Sequence, residues 1–181
     1  MPSEGPDASL LVAACRRQQP DGRVPVWFMR QAGRSLPEYR DIRSGVGMLD
    51  SCSQPDLVAE ITLQPVRRYG VDAAIFYSDI MVPLRAAGVD LDIVSGQGPS
   101  IARPIRDAAD LEQLRPLDPA ELWYVTEAVE QLVAEVGPIP LIGFAGAPFT
   151  LASYLVEGGP SKDYARTKSL MIAEPAVWDE L

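Results

Sequence analysis

The chain has 181 residues, 47% of them hydrophobic and 7% aromatic, which suits one globular domain with a sizeable core. A formal net charge of -9 argues against nucleic acid or an anionic membrane as a partner, since both need a basic face, but leaves room for an anionic small molecule held by local arginines. The absence of histidine removes His-based metal sites, Ser-His and Cys-His nucleophilic pairs and the commonest general base near neutral pH.

In chain order, Asp7 or Ser9 is placed to cap a helix running through Leu10, Leu11 and Val12 to about Gln18, ended by Pro20-Asp21-Gly22. A short strand is expected over Val26 to Met29. Pro37-Glu38-Tyr39-Arg40 should open a helical turn, and Gly45 and Gly47 mark a flexible loop after it. Ser53 should cap a helix with Pro55 in its first turn, stopped by Gly70 and kinked or split by Pro65. Ala73 to Phe76 is a run of apolar residues without alternation, as in a buried parallel strand, and ends at Ser78-Asp79. Val89 to Ile101 has the pattern of a small hairpin or an irregular excursion. From Asp118-Pro119 a long helix reaches Val136, with Leu122, Val125, Val129, Leu132, Val133 and Val136 on one face and Gly137-Pro138 as its terminator. Leu141 to Phe144 should be a third buried strand, followed by helix over Leu151 to Val156 and from about Lys162 onward.

Strand and helix therefore alternate three times, the α/β pattern of a parallel sheet with covering helices. A (β/α)₈ barrel takes about 250 residues, so three units supply less than half of one, and the closing segment from Glu174 to Leu181 has the look of a helix beginning. The expectation is the N-terminal part of a longer barrel. Residues 1–20 would be an extension and first helix, and residues 21–181 an incomplete barrel domain. No window holds the roughly 18 apolar residues needed to span a bilayer, and the N-terminus MPSEGPDASLL is acidic where a signal peptide is basic, so a cytoplasmic location is expected. Cys15 and Cys52 are isolated, and both are expected to be buried or partly buried thiols.

Candidate site residues come from three places. PVWFMRQAGRSLPEYR carries Arg30 and Arg34 four residues apart around Gln31, Ala32 and the flexible Gly33. Arginine's planar fork donates two parallel hydrogen bonds to a carboxylate at any working pH, so the pair suits a polyanion, although solvated surface arginines have the same spacing. Asp79 follows a buried strand, at the end where barrel active sites are built; a helix-capping aspartate is the plainer alternative. Tyr154 lies in SYLVEGG, where a half-buried aromatic with its hydroxyl in water is the plainer reading. Gly143 and Gly146, in GFAGAPFT, lack the spacing of nucleotide loops and suggest close backbone approach at a strand end.

PVWFMRQAGRSLPEYR, IFYSDIMVPLRAAGVDLDI and GFAGAPFTLASYLVEGG, in this order, resemble three signature blocks of the uroporphyrinogen decarboxylase family, and the resemblance runs from about Asp21 to the last residue. It implies a (β/α)₈ TIM barrel, a homodimer when full length, no cofactor and no metal. The implied reaction converts the four acetate arms of uroporphyrinogen III to methyls, giving coproporphyrinogen III and carbon dioxide in porphyrin synthesis. The substrate is an octacarboxylate tetrapyrrole, which gives the arginines a purpose. By motif position, Arg30, Gln31, Ala32, Gly33 and Arg34 become a substrate-binding segment, with Arg43 either a further carboxylate partner or a surface arginine on a loop. Asp79 would stabilise a protonated pyrrole, Tyr154 would hydrogen-bond the substrate or the aspartate, and Arg30 is the proton donor by resemblance, with a water or substrate carboxyl held by it as an alternative.

Tyr77 departs from the family's usual phenylalanine and adds a hydroxyl before Asp79, and Ser95 replaces a common proline in an expected exposed turn. Family members also continue well past residue 181, with a serine or threonine and a histidine of the site in that remainder. Two other readings remain: a noncatalytic tetrapyrrole-binding or degenerate half-barrel, and a fold-related corrinoid methyltransferase. By itself the fragment is expected to be inactive and poorly soluble.

Overall fold

A computed structural model describes residues 9–18, 23–29 and 35–181. The chain divides into two compact units, one of Met1–Ser78 with Trp123–Phe144 and one of Asp79–Leu122 with Ala145–Leu181.

In the first unit, α1 (Leu10–Cys15) is capped by Ser9, whose Oγ accepts the Val12 N–H at 3.4 Å. It stops short of Gln18 because Arg17 turns to a positive φ of 58°, and the Gln18 N–H folds back onto the Ala13 carbonyl. Asp7, the other expected cap, lies outside the described residues. Cys15 is exposed and Cys52 buried, so the expectation for the two thiols holds only for Cys52.

No strand forms over Val26 to Met29. Val26 accepts the Asp72 N–H through its carbonyl at 2.8 Å, but its own N–H goes to the Asp72 carboxylate at 2.7 Å rather than to a backbone carbonyl. A side chain thus takes the donor that would have continued a ladder, and Val26, Phe28 and Met29 stay exposed.

The Pro37 turn is α2 (Pro37–Ile42). Where a flexible loop was expected, Gly47 opens a short helix, α3 (Met48–Cys52). That helix changes the role of Ser53: its hydroxyl donates to the Asp50 carbonyl at 2.9 Å and closes α3. Gln54 therefore stands at the start of α4 (Pro55–Tyr69), which has Pro55 and Asp56 in its first turn, Arg67 and Arg68 in its last and Gly70 in a left-handed cap. The helix runs through Pro65 as one element.

Two strands pair in parallel, β1 (Ala74–Ile75) and β4 (Leu141–Ile142), with Ala74 opposite Leu141. Between them in sequence lies α6 (Trp123–Glu135), which packs on α4 through Ala128 and Leu132. Gln131 donates to Asp56 at 2.9 Å and Arg67 bridges Glu60 and Glu135 across the same contact. The expected face is shifted: the turn from Pro119 to Leu122 is a 3₁₀ segment, and Val133 is 62% exposed while Ala128 is buried. Inside α6 the buried stripe is Ala128 and Leu132 with Val125 and Val129 half-buried beside them, and Val133, next to Leu132 in sequence, is turned about 100° away from it. Leu141 and Ile142 are only half-buried and Phe144 is exposed, so β4 is not the buried strand its composition suggested.

The second unit begins at Asp79 and turns into α5 (Val82–Ala86). The expected hairpin is β2 (Leu91–Val94) against β3 (Gly98–Ile101), antiparallel, with Ser95 exposed in its turn. Then come α7 (Pro148–Glu157), α8 (Ala165–Ala173) and α9 (Pro175–Glu180). The hairpin is fastened to the end of α7. Ile101 donates its N–H to Gly158 O at 3.0 Å and Ile105 to Leu155 O at 2.9 Å. Gly158 ends α7 with φ at 85°, and a side chain there would meet Pro104 Cγ at 2.7 Å, so only glycine fits this corner. Met81, Val82, Val89, Leu91, Ile101, Ile105, Leu155 and Val156 are among the buried apolar residues of this unit.

Candidate functional site

Arg30, Gln31, Ala32, Gly33 and Arg34 lie outside the described residues. Asp79, Tyr154, Arg43, Gly143 and Gly146 are placed as follows.

Asp79 leaves the last bonds of β1. Phe76 donates its N–H to Ile142 O at 3.0 Å, and Tyr77 donates its N–H to Thr62 Oγ1 at 3.0 Å, so the backbone is held up to the residue before Ser78. Asp79 Oδ1 then accepts the Met81 N–H at 2.9 Å and its carbonyl accepts the Val82 N–H at 3.1 Å. Asp79 therefore caps the turn that leads into α5, whose own N-cap is Met81 without a side-chain bond, and this turn orients the carboxylate. Oδ2 takes no hydrogen bond among the described residues, so the turn occupies one oxygen of two.

Tyr154 sits on α7, half-buried, and its carbonyl accepts the Gly158 N–H at 2.9 Å. Its hydroxyl has no hydrogen-bond partner among the described residues, and none joins it to Asp79. Both residues belong to the second unit, at the two ends of the path from α5 through the hairpin to α7.

Arg43 belongs to the first unit and is not a solvated loop arginine. Its NH1 donates to Gly47 O at 3.0 Å and to Ser51 Oγ, and its guanidinium carbon stands 5.9 Å from the ring centre of Tyr39 and 6.0 Å from that of Tyr77. The two rings meet edge to face at 6.1 Å. The Tyr77 hydroxyl lies 2.9 Å from Ser51 Oγ, and burial pushes the Tyr77 phenol well above its usual range, so it remains protonated. Ser51, Tyr39 and Thr62 were missed by the sequence reading. Tyr39 was within reach of it, since Tyr39 and Arg43 are four apart on a helical turn.

Gly143 and Gly146 divide. A side chain at Gly146 would strike Leu151 at 2.5 Å, whereas Gly143 has open space around it. Close approach thus holds for Gly146 alone. Among the described residues no group of three or more His, Cys, Asp or Glu side chains is arranged to hold a metal ion, and no helix is long and apolar enough to cross a membrane.

A family model described as uroporphyrinogen decarboxylase (URO-D) matches residues 6–181. The chain belongs to the uroporphyrinogen decarboxylase family. It is 65% identical over 173 residues to the uroporphyrinogen decarboxylase of Thermobifida fusca, covering 96% of this chain and 48% of that protein. It is also 65% identical over 176 residues to that of Rhodococcus opacus, covering 97% of this chain and 49% of the relative. The chain thus spans about half the length of these curated relatives. A methyltransferase from Methanosarcina mazei has a similar fold, with a TM-score of 0.64 at 23% identity over 94% of this chain and 49% of the other. The architecture is that of a partial (β/α) barrel of this family: parallel β1 and β4 with helices beside them, and no closed barrel among the described residues.

Proposed function

We propose that the intact protein is a uroporphyrinogen decarboxylase that converts the four acetate arms of uroporphyrinogen III to methyls, giving coproporphyrinogen III and carbon dioxide. The family match over residues 6–181 carries this reading. It favours neither a noncatalytic tetrapyrrole binder nor a corrinoid methyltransferase.

The chemistry needs an electron sink. Protonation of a pyrrole on carbon makes an iminium cation; the neighbouring –CH₂–COO⁻ loses carbon dioxide as its bonding pair moves into that cation. A second proton then converts the exocyclic methylene to methyl, and the ring proton leaves, so each arm consumes one proton and releases one carbon dioxide. Asp79 would stabilise the cation with Oδ2, the oxygen its capping bond leaves over. Preorganised charge of this kind is worth on the order of 3 kcal/mol.

Arg30, Gln31, Ala32, Gly33 and Arg34 would bind substrate carboxylates, with Arg30 delivering the proton directly or through a water or carboxyl it holds. Tyr154 would donate its phenolic hydrogen to substrate or to Asp79, and Arg43 would hold a further carboxylate. The enzyme would need no cofactor and no metal, bind neither nucleic acid nor membrane, and act as a cytoplasmic homodimer. Residues 21–181 would form part of a single barrel domain, inactive without the remainder.

Full-length protein should release carbon dioxide from uroporphyrinogen. Asp79→Asn and Arg30→Ala should each lower kcat by on the order of 10²-fold or more. Normal turnover in both variants would sink the assignment of these two residues, and no carbon dioxide from the parent would sink the activity itself.

A further inference from the structure

Ser51 has no solvent-accessible surface, and three polar groups converge on its Oγ: the Met48 carbonyl at 2.6 Å, the Tyr77 hydroxyl at 2.9 Å and NH1 of Arg43. A serine hydroxyl offers one proton and two acceptor sites. The Met48 carbonyl can only accept, so the Ser51 proton goes there, and Arg43 and Tyr77 both donate to Ser51. The other acceptor open to Tyr77, Met48 Sδ at 3.2 Å, is a weak one.

This inventory restricts Arg43. NH1 is divided between Ser51 and Gly47 O. Nε is buried without a hydrogen-bond partner. The rings of Tyr39 and Tyr77 lie about the guanidinium. Among the described residues only NH2 has neither a partner nor a burial constraint. The side-on, two-point grip that arginine gives a carboxylate through Nε and NH2 is therefore closed to it.

We propose that Ser51 is a positioning residue that sets the Arg43 guanidinium so that NH2 is its single donor to a substrate carboxylate. The proposal rests on reading Arg43 as a carboxylate partner. Its energetic source is the loss that follows when a half-buried guanidinium gives up the one side-chain acceptor it has among the described residues.

The test uses full-length protein with Ser51→Ala, Arg43→Ala and the double variant, and a measurement on the parent that needs no variant. Ser51→Ala should raise KM for uroporphyrinogen about tenfold, with a smaller change in kcat, and should add nothing once Arg43 is alanine. By NMR, the Arg43 Nε–H of the parent should exchange with solvent far more slowly than that of an exposed arginine, and Ser51→Ala should remove the protection. Additive effects of the two substitutions, a KM change under about twofold, or a fast-exchanging Nε–H in the parent would each overturn the proposal. If the parent releases no carbon dioxide, the activity reading has failed separately. Binding of uroporphyrin, the oxidised octacarboxylate, followed by its fluorescence, then decides on Ser51 by the same non-additivity in Kd.

Discussion

Asp72 ties Arg23 and the Val26 backbone to the start of β1 through its carboxylate. Buried at the entrance to β1, it accepts both terminal nitrogens of Arg23, accepts the Val26 N–H and donates its own N–H to Val26 O. The Arg23 hydrogen bonds, helped by Val26, hold its carboxyl below the usual range against the opposing effect of burial. A depressed carboxyl stabilises the fold above its unfolded pKa of about 3.9 and loses that contribution as pH falls through the lower folded value. Asp72→Asn in the full-length protein should therefore destabilise at neutral pH, and the deficit should shrink as pH drops below about 4. Urea unfolding at several pH values reads this directly; a deficit that stays constant with pH would refute it. Removing the acceptor of Val26 altogether, in Asp72→Ala, should cost about 1–3 kcal/mol.

At the level of elements, the punctuation of the long helices, the hairpin and the parallel pairing were legible, while the short helix α3 and the failed first strand were not. Pro55 and Gly70 bound α4 because a first-turn proline and a left-handed glycine are local demands, and Gly158 ends α7 for the same reason. Gly158→Ala must accept both φ at 85° and a clash with Pro104, and should lower stability by about 1–3 kcal/mol, read as a drop in Tm. An unchanged Tm would mean the hairpin does not grip this corner. Ser53 was misread because α3 has almost no hydrophobic period to announce it, and Val26 to Met29 because apolar composition does not tell a strand from a segment whose donor is taken by a carboxylate. The site followed the same division. Asp79 and Tyr154 are proposed from motifs, while Ser51 could not be named from sequence because its proposed role rests on contacts with Tyr77, distant in sequence, as well as with Arg43.

The whole molecule is about half of its relatives by length and carries a net charge of -9. Val24, Phe28, Met29 and Phe144 of the first unit are all exposed, as are Phe149 and Ile172 of the second. Exposed aromatic and aliphatic surface of this kind drives self-association unless covered. The 181-residue chain should accordingly scatter light increasingly with concentration, while full-length protein at equal molarity should not. A monomer at high concentration would disprove this.

The order of the two units along the chain has a consequence for synthesis. The first unit is interrupted by the stretch from Asp79 to Leu122 and resumes only at Trp123. On a ribosome Ala74 emerges long before Leu141, its opposite number, and the α5 and hairpin segment appears in between. With α4 already made and packed against it, β1 keeps an unpaired edge through that interval, while α5 and the hairpin can form early from neighbours close in sequence. The late arrival of Leu141 and Ile142 therefore sets when the strand that leads into Asp79 gains its parallel partner.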